Sequence, residues 1–163
     1  MRRLRPIGLA GLLAAAPALH AGSADEAATL PVRLETRDGN THHLVVEVAA
    51  TPDRRARGLM GRDSLAPEAG MLFLYERPQP GDAGFWMYRT RIPLDIAFLD
   101  ATGRIRAVHT MQPCVSDLGY RCPSYLPGVS YAAALEVNAG YLSARGVQPG
   151  DRVVFTPLGG VAP

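Results

Sequence analysis

Lysine is missing altogether: the 17 basic residues of this 163-residue chain are all arginine. That absence excludes Schiff-base chemistry, a phosphate-loop lysine and a lysine general base. Cysteine is limited to Cys114 and Cys122, and tryptophan to Trp86. No apolar run reaches the ~20 residues of a membrane-spanning helix; the stretch that comes nearest covers residues 7–19. A glycine-rich phosphate loop, a serine nucleophile elbow and a His-Glu-x-x-His motif are also lacking. Charged residues at 20% and hydrophobic ones at 47% match an ordinary folded domain and exclude disorder over most of the length. The length suits one domain.

Arg2, Arg3 and Arg5 precede the apolar stretch, and Ala21-Gly22-Ser23-Ala24 follow it, ahead of the first acids Asp25 and Glu26. This layout predicts a secretory signal peptide over residues 1–24, cleaved after Ala21 or Ala24; an uncleaved anchor is the alternative. The expected location is therefore the periplasm or the extracellular space, with no transmembrane span after cleavage. From residue 25 onward 14 arginines face 15 acids, a net charge of −1 with histidine neutral, so the formal +2 of the whole chain belongs to the leader. A near-neutral domain without a basic cluster gives no support for a nucleic-acid partner. In an oxidising compartment Cys114 and Cys122 predict a disulfide. Closing so short a loop is worth about 2–3 kcal/mol on the chain-entropy account. A thiol or metal pair is the alternative, although the spacing is not that of a redox Cys-x-x-Cys.

Residues 25–31 read as a flexible start. Alternation of apolar and polar residues predicts strands over 32–36 and 41–49, joined as a hairpin through Asp38-Gly39-Asn40. Thr51-Pro52-Asp53 opens a helix expected to run to Met60 and stop at Gly61. Further strands are expected over 71–75, 85–87, 94–99, 105–111, 131–137 and 152–155, with a short helix over 139–145. Residues 113–129 form a long irregular segment, and 158–163 a tail. The fold class that follows is mainly β (α+β), a compact antiparallel sheet or small barrel with two short helices, forming one domain over residues 32–157.

Several blocks now form a series: Arg57-Gly58-Leu59-Met60-Gly61-Arg62, Gly70-Met71-Leu72-Phe73, the run FWMYRTRIPLDIAFLD over 85–100, Met111-Gln112-Pro113-Cys114, Ala134-Leu135-Glu136 and Gly146-Val147-Gln148-Pro149-Gly150-Asp151. In this the chain resembles the bacterial and archaeal family called domain of unknown function 192, or uncharacterised protein family 0127, over residues 32–155. The resemblance implies a compact β-rich fold, often behind a signal peptide, and no activity. The family usually reads basic-Asn-Thr where this chain has Tyr88-Arg89-Thr90, so any role of that asparagine in capping a turn or meeting a ligand does not transfer to Arg89.

Chemistry-bearing residues are few. In a strand, Phe85 and Met87 share one face and Trp86 and Tyr88 the other. One face is core; the other is either core or a stacking platform for a sugar or peptide, flanked by Arg89 and Arg91. Asp95, between Leu94 and Ile96, needs a partner: Arg62, Arg89 or Arg91 as an ion pair, or a backbone cap. Read functionally, it is a general acid or base working with a second carboxylate, Asp63, Glu68 or Asp100. His109 with Cys114 and Cys122 can be drawn as a nucleophile pair or a metal site only if the cysteines are reduced. His42 and His43 point to opposite faces of a hairpin strand and make poor ligands. The expectation is a non-catalytic binding or accessory module of the cell envelope. Its ligand is a small molecule, glycan or peptide at Trp86, Tyr88, Arg89, Arg91 and Arg62, and no cofactor or metal is involved. The alternatives are a small hydrolase using Asp95 or His109, and thiol or metal chemistry at Cys114 and Cys122.

Overall fold

The computed structural model describes residues 28–156. The expected signal peptide, residues 1–24, and the tail, residues 158–163, lie outside the described residues. Nine strands and two short helices follow in the order β1 (Thr29–Glu35), β2 (Thr41–Ala49), α1 (Pro52–Arg57), β3 (Ala69–Gln79), β4 (Phe85–Trp86), β5 (Leu94–Leu99), β6 (Ile105–Met111), β7 (Ser124–Tyr125), β8 (Tyr131–Asn138), α2 (Tyr141–Ala144) and β9 (Arg152–Phe155). Seven strands make one sheet in the order β6-β5-β8-β3-β2-β1-β9, while β4 and β7 pair separately as a small ribbon.

The sheet curls into a half-barrel whose two edges meet at one corner. There Ile105 N donates to Asp151 O, Gly150 N to Ile105 O and Val153 N to Gly103 O, each at 2.8 Å. All strand pairs but one are antiparallel; β2 and β3 run parallel, from Val45↔Ala69 to Ala49↔Phe73. A parallel neighbour cannot be reached by a tight turn, which is why residues 50–68, with α1 among them, form a crossover.

Each face of the sheet carries its own apolar cluster. The enclosed face gathers Leu34, Val46, Leu72, Leu99, Ile105, Leu135 and Val153 with Leu142 of α2. The outer face gathers Phe73, Met87, Ile96, Phe98 and Met111, covered by Leu59 and the β4–β7 ribbon. Strand pleating explains the split, since Ala97 and Leu99 belong to one cluster and Leu94, Ile96 and Phe98 to the other.

Several boundaries differ from expectation: β3 extends on both sides of 71–75, β4 ends at Trp86, and β7 lies inside the segment 113–129 expected to be irregular. β1 begins at Thr29, inside the supposed flexible start, because Leu30 continues the buried alternation of Val32 and Leu34. α1 ends at Arg57 rather than Met60: Gly58 adopts φ +48° and its N–H closes onto Arg54 O at 2.9 Å, so this glycine, not Gly61, stops the helix. α2 starts only at Tyr141, after Gly140 in the left-handed region.

Candidate functional site

The segment after β4 is shaped by its backbone. Arg89 is the one described non-glycine residue with positive φ, +53°, a region that asparagine enters more readily than arginine. The bend turns its carbonyl to accept from Gly61 N at 2.9 Å, while Cys114 N donates to Thr90 O at 3.1 Å. The turn after α1, the aromatic segment and the irregular loop are thereby tied together. Cys114 and Cys122 are joined as a disulfide, with Cα atoms 5.8 Å apart. A bonded pair has no thiolate to offer, so the thiol and Cys–His readings are corrected. His109 Nε2 instead donates to Leu126 O at 2.9 Å, and its ring lies edge-on to Phe98.

Phe85 and Met87 point into the outer-face cluster. Phe85 meets Phe73 and Phe98 edge-to-face, with ring centroids 4.9 and 5.6 Å away, and Met87 is buried. Trp86 and Tyr88 lie together on the other side, 5.2 Å between centroids, with Trp86 48% exposed. The Arg89 guanidinium stands over the Tyr88 ring at 5.0 Å. A cleft of about 500 Å³ opens beside the indole, lined by Gly84, Trp86, Gly119, Tyr120, Cys122 and Ser124. Gly119 lets the loop approach the indole closely: a Cβ there would stand 3.1 Å from Trp86 Cζ3, a tight contact that the ring would have to relieve by a small shift.

Asp95 is not part of this site. Pleating turns it to the enclosed face, opposite to its neighbours Leu94 and Ile96. There it accepts from Thr110 Oγ1 at 2.7 Å and from Leu142 N, in the first turn of α2, at 3.1 Å. It is therefore a backbone cap. The three arginines expected to pair with it are engaged elsewhere. Arg62 donates to both Glu47 oxygens at 2.5 and 2.6 Å, Arg91 pairs with Asp63 at 2.9 Å, and Arg89 covers Tyr88. The supposed second carboxylates are engaged too. Glu68 meets Tyr141 Oη and Arg145, and Asp100 organises its own turn through Thr102 and Arg104.

Sequence reasoning missed Glu136. It lies mid-β8, opposite Met71 on β3 and Ile96 on β5, on the same outer face that Phe85 packs against. It is 4% exposed, and its carboxylate has no hydrogen bond or ion pair to any described residue. Burial pushes this carboxyl up to about 8, because the charged form has lost water and gained no partner. It lines a small cavity of about 30 Å³ with Phe73, Phe85, Trp86, Thr90, Gly58 and the stems of Arg55 and Arg57. Trp86 thus borders both the cavity and the outer cleft.

What fold and site define is a β-rich, disulfide-stapled single domain: a curled sheet with an aromatic-capped, carboxyl-floored cavity on its outer face. The profile of the family DUF192, described as "Uncharacterized ACR, COG1430", matches residues 33–155. The chain belongs to this family. Among solved structures it is similar to a protein of Sinorhizobium meliloti 1021 described as a "putative transcription regulator". The two are 38% identical with a TM-score of 0.70, over 79% of this chain and 95% of that one. It is also similar to a protein of unknown function from Novosphingobium aromaticivorans DSM 12444, at 35% identity and a TM-score of 0.68, over 86% and 94%. No curated protein matches.

Proposed function

We propose that the chain is an exported, non-catalytic binding module of the cell envelope, which takes a small-molecule, glycan or peptide ligand at Trp86 and Tyr88, with Arg89, Arg91 and Arg62 as the basic residues that contribute to it. The observation that carries this reading is the half-exposed Trp86 ring, pre-positioned between two cavities by the ribbon, the disulfide and Gly119. An aromatic face fixed before binding loses little entropy on meeting a sugar or peptide. Export is supported by the leader-like layout of residues 1–24 and by the disulfide. No helix among the described residues is long and apolar enough to cross a membrane.

The hydrolase alternative loses its first residue, because both Asp95 oxygens serve as structural acceptors. The regulatory role in the description of the Sinorhizobium protein is not carried over: Arg33, Arg62, Arg91, Arg106 and Arg145 each pair with an acid rather than forming a basic face. The test is retention of Trp86→Ala and Arg89→Ala variants on isolated envelopes. Loss of retention with an unchanged melting temperature is expected. Retention equal to wild type, or unfolding of both variants, overturns the reading.

A further inference from the structure

A carboxyl group in the middle of an apolar sheet face, without a partner, is costly to ionise and calls for an explanation, one of which is a group from outside that completes it. Its cross-strand neighbours Met71 and Ile96 are apolar, and Ala134, two residues back on the same strand, offers no hydrogen-bonding group. The charged and titratable groups near it are Arg55 and Arg57 at the cavity and Tyr75 on β3. Neither Arg55 nor Tyr75 forms an ion pair or hydrogen bond with it, and Arg57 has a partner of its own. Arg55 is committed to the carbonyls of Ala50 and Leu74, at 2.5 and 2.9 Å, and lies over the Tyr75 ring.

We propose that the cavity floored by Glu136 receives a primary ammonium group from a ligand, with the Glu136 carboxylate as counter-ion and the rings of Phe73, Phe85 and Trp86 around it. Three features select that chemistry. Carboxylate and aromatic faces both present negative potential, which suits a cation, and the neighbouring Arg55 guanidinium is turned to the carbonyls of Ala50 and Leu74. Thr90, 4% exposed at the same cavity, uses its hydroxyl hydrogen toward Tyr88 O and keeps lone pairs to accept an ammonium hydrogen. The cavity is small, about 30 Å³, which suits a compact head such as a primary ammonium. The chain's own composition adds a fourth: with 17 arginines and no lysine, no side chain of this protein, nor of a second copy, supplies an ammonium. Apart from the α-ammonium at the chain's own N-terminus, the group comes from another molecule, entering by the Trp86 side of the cavity.

The inference deepens the binding reading, on which it rests for the entry route, and names the polar head of the ligand. Proton balance follows from it. The ammonium arrives charged and Glu136 waits as the neutral acid, so forming the ion pair breaks the Glu136 O–H bond and releases that proton to solvent.

The experiment is calorimetric titration of the full folded chain at pH 6.5 with n-butylammonium and with Nα-acetyl-lysine methylamide, in two buffers of different ionisation enthalpy. The uncharged controls are n-butanol and Nα-acetyl-norleucine methylamide. Expected are binding of both amines with about one proton released per site, and a loss of about tenfold or more for the controls and for Glu136→Gln. The proposal is overturned if the controls bind as well as the amines, if Glu136→Gln keeps its affinity, if no proton is released, or if neither amine binds. Since Glu136→Gln keeps shape and removes only the ability to ionise, its melting curve verifies folding in each case. Envelope retention of Trp86→Ala reports on the binding reading alone, so the two ideas fail separately.

Discussion

Replacing Glu136 by glutamine removes a buried titratable group while keeping the side chain's shape, and its effect on stability must change with pH. In the fold the carboxyl holds its proton to about pH 8; in the unfolded chain it releases it near 4.5. The folded-state value is the higher one, so its contribution to stability is fully present below pH 4.5 and is lost progressively as pH rises to about 8. At about 1.4 kcal/mol per pH unit, the wild type loses roughly 3–4 kcal/mol between pH 5 and pH 8 from this residue alone. Glutamine does not titrate, and the cost of its buried amide is the same at both pH values. The difference in stability between Glu136→Gln and wild type should therefore move in favour of the variant by that amount. For a domain of this size about 4 °C accompanies each kcal/mol, so the melting temperatures should diverge by on the order of 10 °C between pH 5 and pH 8. Thermal denaturation followed by circular dichroism across that range measures it. Parallel profiles would refute the reasoning, for they would mean that Glu136 is ionised in the fold and has found a counter-ion.

Arg89→Asn should stabilise the domain by about 1 kcal/mol, because φ +53° suits asparagine better than arginine; chemical denaturation measures the shift in midpoint. Asp95→Ala should cost about 2–3 kcal/mol by leaving Thr110 and the first turn of α2 without their acceptor, with amine binding at Glu136 unchanged because Asp95 lies on the opposite face. Reducing Cys114–Cys122 should cost about 2–3 kcal/mol and shift the Trp86 fluorescence, since the loop carrying Cys122 lines the indole's cleft; an unchanged spectrum would uncouple staple from site.

The strands were legible in the sequence because alternation and turn residues mark them locally, and the core positions Val32, Leu34, Val46 and Ile96 follow from the same period. The parallel β2–β3 pair was not legible, because nothing local distinguishes a crossover from a hairpin. The split of residues 85–88 into Phe85 with Met87 and Trp86 with Tyr88 was legible from alternation, but which pair faces outward was not. Asp95 and Glu136 show the limit most clearly. Each is a single acid between two apolar residues, Leu94 and Ile96 in one case and Leu135 and Val137 in the other. The signal that drew attention to Asp95 was equally present at Glu136. What separates them is the face each meets: one looks onto the first turn of α2 and is satisfied, the other onto aromatic rings and is not. Facing is a property of the assembled sheet, and strand order across β5, β8 and β3 cannot be deduced from any one strand.

The pairing of β1 with β9 also constrains when the domain can form. Val32 is partnered by Phe155 and Glu35 by Arg152, so the first strand of the sheet acquires its outer neighbour from the last residues of the domain. Until those residues are available, β1 keeps a row of unpaired N–H and C=O groups along one edge, open to strand addition by another chain. Contacts this distant in sequence also slow folding. The chain thus stays incompletely folded until its last strand is available, and a protease or holding chaperone would meet it in that interval.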